Sequence, residues 1–120
     1  MTYRFKKITS IGRDIHGFAE QVYRNWPVIT FEEVTSSSHE AGFYALILCD
    51  CTSNDITVNL PPVSNLQGTI YIIVKTDSSS NTITVDPDGS EQICDDTELV
   101  IENQFDAAQI LCTGTEWVVI

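Results

Sequence analysis

The chain has 120 residues, of which 42% are hydrophobic and 19% are charged. This length predicts one domain with one modest core, and the hydrophobic share excludes a chain that is disordered throughout. No stretch has the apolar length of a signal-peptide core or a membrane-spanning helix, so we expect a soluble protein without a cleavable leader and without a membrane partner.

The net charge of −11 is unevenly distributed along the chain. The first 24 positions carry five basic and two acidic residues, whereas the remainder carries one basic residue, Lys75, and 15 acidic ones. Such an asymmetry is typical of a tail that docks on an acidic partner; a tail that folds over its own acidic domain is the alternative. We do not expect the acidic part to bind nucleic acid, because its charge repels phosphate.

The composition therefore divides the chain into a basic N-terminal anchoring arm, residues 1–27, and an acidic β-domain, residues 28–120. After Asp14, a suitable N-cap, the apolar residues of the arm have helical spacing, so a short helix is one expectation and an extended arm that orders on a partner is the other. The residues predicted to dock the arm are Arg4, Phe5, Lys6, Lys7, Arg13, Phe18, Tyr23, Arg24 and Trp26.

Strand patterns follow one another through the rest of the chain. They cover residues 28–34, 42–51, 55–60, 68–75, 82–86, 97–103, 107–113 and 115–120, with a polar loop at 35–40 and a short extended piece at 91–94. In residues 55–85, strict alternation, a stop at Pro61-Pro62 and a polar turn at 77–81 predict a β-meander. The fold class we predict is all-β: a small antiparallel β-sandwich or barrel-like meander.

Several of these strands are apolar on both faces. In residues 42–51, for example, Ile47 and Cys49 fall on one face while Leu46 and Leu48 fall on the other. A single sandwich has only one interior, so we expect copies of the chain to cover the second face, most simply as a trimer; central strands of a monomer are the alternative. The predicted subunit-interface residues are Tyr44, Leu46, Leu48, Tyr71, Ile73, Trp117, Val119 and Ile120.

A series of short motifs resembles a known group of sequences. They are I-T-V-N-L-P-P at 56–62, G-T-I-Y-I-I-V-K at 68–75, N-T-I-T-V at 81–85, E-Q-I at 91–93, T-E-L-V-I at 97–101 and G-T-E-W-V-V-I at 114–120. In this order they resemble the C-terminal β-module of tailed-phage virion proteins: tail fibres, head fibres and capsid decoration proteins. The resemblance covers about residues 50–120 and implies a trimer, although such modules often end a much longer chain.

The resemblance and the short arm together predict a non-enzymatic virion structural protein. We expect a homotrimeric capsid decoration or head-fibre protein, assembled in the host cytoplasm and docked by its arm on the capsid surface, with the major capsid protein or another virion protein as partner. The alternative is a tail-fibre or receptor- or glycan-binding module, in which Tyr44, Tyr71 and Trp117 are candidate contacts.

Motifs for chemistry are sparse. The two histidines, His16 and His39, lie near no Cys and no G-x-S-x-G motif, and Ser36–Ser38 beside His39 are expected to form a solvated loop, so we predict no catalytic residues. The four cysteines lack a zinc-type spacing and are expected to be small buried hydrophobic residues. Residues 84–89 resemble part of a calcium loop, but strands flank them and a β-turn explains Pro87 equally well. We predict no metal and no cofactor.

Overall fold

The structure is a computed structural model that describes residues 29–120. Within this range it contains nine β-strands and no helix. The strands are β1 (Phe31–Val34), β2 (Ser38–Glu40), β3 (Leu46–Cys49), β4 (Ile56–Asn59), β5 (Ile70–Lys75), β6 (Ile83–Asp86), β7 (Leu99–Ile101), β8 (Ala107–Cys112) and β9 (Trp117–Val119). The predicted all-β class is confirmed for these residues. The predicted arm, residues 1–27, lies outside them.

The strands form two sheets that share one core. A five-stranded sheet has the order β1-β3-β5-β8-β9, and a four-stranded sheet has the order β2-β4-β6-β7. From β1 to β6 the chain alternates between the sheets, and neighbours in each sheet are parallel. These six strands therefore make three stacked coils of a short solenoid, each coil giving one strand to each sheet.

The last three strands close the solenoid in the opposite sense. β7 pairs antiparallel with β6, β8 pairs antiparallel with β5, and β9 pairs antiparallel with β8. Before β7, Cys94 and Asp95 have φ values of 48° and 69°, the left-handed conformation of a tight turn, and Ile93 and Asp96 exchange backbone hydrogen bonds across it. Because β7, β8 and β9 pair antiparallel while the earlier strands pair in parallel, both sheets are mixed.

The core consists of inward-facing aliphatic residues stacked in columns by the parallel registers. Ile47 lies beside Ile73 in the five-stranded sheet, and Val58 lies beside Val85 in the four-stranded sheet. All four are fully buried. At the first coil the corresponding positions are Glu32 and His39, whose side chains meet at 3.1 Å between Nε2 and Oε1. An apolar column thus ends in a polar pair.

The predicted meander of residues 55–85 is wrong. β4 and β5 lie in different sheets, and β4 pairs in parallel with β6 instead. A meander requires short hairpin turns, whereas residues 60–69 cross from one sheet to the other. After Pro61-Pro62 this crossing is fixed by buried Val63 and by Gly68, whose φ of 90° favours glycine and whose amide donates to the Cys112 carbonyl at 2.8 Å.

The predicted antiparallel sandwich is correct in having two sheets around one core but wrong in strand direction for the three coils. The predicted loop at residues 35–40 contains β2, a three-residue strand of polar composition that pairs with β4. Of the predicted strand at residues 42–51, only Leu46–Cys49 is a strand. Period-2 alternation is the same in parallel and antiparallel strands, so the pattern itself did not distinguish them.

Candidate functional site

The most distinctive surface is the outer face of the five-stranded sheet. Alternation places every second residue of its strands away from the core, and apart from Glu33 on the edge strand β1 and Gln109 on β8 these residues are apolar. We call this surface the apolar outer face; its members are Phe31, Leu46, Leu48, Ile70, Ile72, Val74, Leu111 and Val118.

The registers bring these side chains into continuous rows across the sheet. Phe31 lies beside Leu46, which lies beside Ile72. A second row joins Ile70, Leu111 and, on β9, Val118. Because neighbouring strands are about 5 Å apart, side chains in such a row are in reach of one another, and the face is one contiguous patch rather than scattered residues.

The patch is only partly covered by the described chain. Phe31 is 49% exposed and Ile70 is 40% exposed, while the other members are half-buried. No Lys or Arg lies on it, because Lys75 is the only basic residue of the described range and it points inward. A contiguous exposed apolar patch of this kind marks an interaction surface in most soluble proteins.

The outer face of the four-stranded sheet is polar by contrast. One row runs through Ser38, Thr57 and Thr84, and the next through Glu40, Asn59 and Asp86. Asn59 Nδ2 donates to Glu40 Oε2 at 2.7 Å, so this row is held by cross-strand hydrogen bonds. Such a face is compatible with water and requires no partner.

Three predicted interface residues need correction. Tyr71, Ile73 and Trp117 point into the core and are at most 3% exposed, so their side chains are not available to another subunit. The Tyr71 hydroxyl donates to the Gly42 carbonyl at 2.7 Å, and its ring lies 5.8 Å from that of Trp117. The same burial removes Tyr71 and Trp117 as candidate glycan contacts.

The remaining predicted interface residues lie at the surface or are half-buried. Leu46 and Leu48 belong to the apolar outer face, and Tyr44, Val119 and Ile120 are 41%, 49% and 58% exposed. The prediction missed six members of the patch: Phe31, Ile70, Ile72, Val74, Leu111 and Val118. Both faces of β5 are apolar in the sequence, and the prediction assigned its buried face to the subunit interface. The signal that could have found these residues was the presence of apolar residues on both faces of the same strands. The nine predicted docking residues all lie outside the described residues.

On the inner side of the five-stranded sheet, Lys75 forms a buried ion pair with Asp77. Its Nζ donates to Asp77 Oδ2 at 2.8 Å and to the carbonyls of Asp77 and Ser79 at 3.0 Å each. Asp77 also accepts bonds from the amide of Cys51 at 2.7 Å and from the hydroxyl of Ser79. All three ammonium protons are therefore satisfied inside the fold, and the network joins the crossing after β5 to the one after β3.

The electrostatics of this network favour a charged carboxylate. Burial acts to raise the pKa of Asp77, but hydrogen bonds from Lys75, the Ser79 hydroxyl and the amides of Cys51 and Ser79 outweigh it and hold the pKa well below its ordinary value. Every donor is already committed to this pair or to a backbone carbonyl. The arrangement stabilises two crossings and leaves no group free to transfer a proton to a substrate.

The cysteines agree with the sequence prediction at three of four positions. Cys49, Cys51 and Cys112 are buried and free, whereas Cys94 is exposed, contrary to expectation. Burial, followed by the charges of Cys51 and Asp77, raises the pKa of Cys49 to about 12. Burial and then Asp77 raise that of Cys51 to about 11. Such thiols stay protonated and behave as core residues.

Within residues 29–120 no group of three or more His, Cys, Asp or Glu side chains is arranged to hold a metal ion. Asp86 and Asp88, from the calcium-like stretch, stand at the end of β6 and in the turn that follows it. The same range contains no helix with the length and apolarity to cross a membrane.

Comparison with models of known protein families gave no match. Comparison with curated protein sequences gave no match either.

Proposed function

We propose that the protein is a non-enzymatic virion structural protein: a homotrimer that decorates a capsid, as a decoration or head-fibre protein, and docks through its basic arm. The observation that carries the proposal is the apolar outer face, which a lone subunit would expose to water. The order of the sequence motifs, which resembles that of phage virion modules, supplies the virion context.

Self-association through this face follows from its composition. Burying a patch of eight aliphatic and aromatic side chains against identical patches gains hydrophobic free energy without any unpaired charge at its centre. A closed ring also uses the same patch on every subunit, which limits growth to a defined oligomer. The polar outer face of the four-stranded sheet then remains in water.

Association is tested with paired substitutions in the full chain. Leu46→Asp with Ile72→Asp puts two carboxylates on neighbouring positions of the apolar outer face. The matched control, Thr57→Asp with Thr84→Asp, does the same on the four-stranded sheet. We expect sedimentation equilibrium to give a trimer for the unchanged chain and the control, and a monomer for the Leu46 and Ile72 variant.

A monomeric unchanged chain, or a trimer that survives the Leu46 and Ile72 substitutions, would contradict this interface. Docking is measured separately, by co-sedimentation with particles of the virus that encodes the chain. Arg13→Glu with Arg24→Glu should abolish co-sedimentation and leave the oligomeric mass unchanged. Retained co-sedimentation would contradict docking by the arm.

A further inference from the structure

The four outermost strands of the two sheets differ in how their free edges are protected. At the first coil, β1 and β2 carry the inward-facing Glu32 and His39 pair, and inward charge is a known protection against strand addition. At the other end, β9 is partly covered by residues 92–94: Trp117 donates to the Gln92 carbonyl, and Cys94 donates to the Trp117 carbonyl. β7 has neither protection.

β7 is the edge strand of the four-stranded sheet, and no described strand pairs with its outer side. The five-stranded sheet extends one strand further, so no strand among residues 29–120 lies opposite β9. Between β7 and this overhang lies an open cleft of about 360 Å³. Leu99, Ile101, Ala108 and Val119 line it on the apolar side, and Glu102, Asn103 and Asp106 line it on the polar side. Val119 is 49% exposed there. The cleft has the position that a fifth strand of the smaller sheet would occupy.

The border of this cleft has a definite charge pattern. Glu98 and Glu102 flank β7 and are exposed, and Val100 between them is 47% exposed. Leu99 and Ile101 alternate with them and face the interior. A strand that completes the sheet here should therefore place basic side chains beside the two carboxylates and apolar side chains over the cleft, because opposite charges on adjacent strands attract.

One segment of this chain has that pattern. In Y-R-F-K, Tyr3 and Phe5 alternate with Arg4 and Lys6, so an extended segment presents two aromatic rings on one face and two cations on the other. The apolar outer face is a poorer site for it, because that face offers no acidic partners at its centre.

The length of the chain permits this placement. Residues 8–28 connect the segment to Ile29, just before β1, and can span up to roughly 70 Å when extended. From β2 to β7 is three strand spacings, roughly 15 Å, and the sheets are about 10 Å apart. The connection is several times longer than needed, whether the segment reaches its own domain or that of a neighbouring subunit.

We infer that in the particle-free protein residues 2–7 add to the free edge of β7 as a fifth strand, with Tyr3 and Phe5 over the cleft and Arg4 and Lys6 beside Glu98 and Glu102. The free edge of β7 is thereby paired. This inference concerns the purified protein alone and does not depend on the proposed capsid function.

Hydrogen–deuterium exchange of the β7 amides tests the inference in the full-length protein. Tyr3→Asp with Phe5→Asp should speed exchange in residues 98–103 by about tenfold or more, because the added strand is lost. The matched control is Phe18→Asp with Tyr23→Asp, which makes the same kind of change elsewhere in the arm and should leave β7 exchange unchanged. Equal exchange in the unchanged chain and the Tyr3 and Phe5 variant would overturn the inference.

Reversing the charges on either side tests whether these particular cations and carboxylates pair. Arg4→Glu with Lys6→Glu, and separately Glu98→Lys with Glu102→Lys, should each speed β7 exchange, and the two sets combined should restore protection. Zero-length carbodiimide coupling should join Lys6 to Glu98 or Glu102; with isotopically mixed chains, the peptide masses tell the same chain from a neighbour. Protection that rises with protein concentration and survives the Tyr3 and Phe5 changes would instead mean pairing of two β7 edges and would overturn the inference.

Discussion

The two sides of β5 contradict the simple rule that apolar residues lie inside and charged residues outside. Its inner side carries Tyr71, Ile73 and the fully buried Lys75, whereas its outer side carries Ile70, Ile72 and Val74. Lys75 is inside because three oxygen acceptors surround its ammonium group. The aliphatic residues are outside because the core is complete without them. Burial in this sheet is decided by available partners, and no part of residues 29–120 packs over the outer residues as a partner.

The largest effect on the inner side should come from breaking the ion pair. Lys75→Met leaves the Asp77 carboxylate buried without its cation, and we expect a loss of about 3–5 kcal/mol in the free energy of unfolding. Denaturant titration measures it. Adding Asp77→Asn to Lys75→Met should recover part of the loss, because the uncompensated charge is removed. A single variant as stable as the unchanged chain would show that the pair contributes nothing.

A smaller difference should separate neighbouring isoleucines of the same strand. Ile73→Ala creates a cavity in the core and should cost about 2–5 kcal/mol, whereas Ile72→Ala on the outer side should cost about 1 kcal/mol or less in the dissociated chain. Thermal or denaturant unfolding at a concentration where sedimentation gives a monomer compares them. Equal losses would mean that the two sides of β5 are equivalent within one subunit.

The smallest effect should appear only in acid. The pKa of Asp77 is lower in the folded chain than its ordinary value of about 4 in the unfolded chain, so its contribution to stability is complete above that value. Below it the unfolded state binds the proton more readily, and the contribution falls as pH falls toward the folded pKa. Unfolding measured from pH 6 to pH 2 should therefore show a steeper acid loss than in Asp77→Asn. Parallel curves would contradict the prediction.

The sequence predicted strand positions well because alternation depends on local chemistry. Every predicted strand from residue 55 onward contains an observed one, and Pro61-Pro62 correctly marked the end of β4. Strand direction was not predictable in the same way. It depends on whether a connection turns back in its own sheet or crosses to the other, and a ten-residue stretch such as 60–69 allows both.

The sequence also did not predict which side of β5 faces the core, because this too depends on contacts between distant parts of the chain. In β5 the pattern of alternating residues is apolar on both sides, and only the contacts of Lys75 and Tyr71 decide which side faces the core. The short strand β2 was missed because S-H-E has no apolar residue; it is a strand only because β4 pairs with it. The free edge of β7 was equally hidden, since it exists only once the order of strands in the sheet is known.

The Glu32 and His39 pair sets how long this solenoid can become. Coils two and three present stacked aliphatic residues that another coil would extend, but the first coil presents a carboxylate and an imidazole at that level. Within the described residues, this polar pair disfavours the addition of another coil beside β1 and β2. A chain with isoleucine and valine at those two positions would present an apolar surface at the first coil, and copies would tend to associate there.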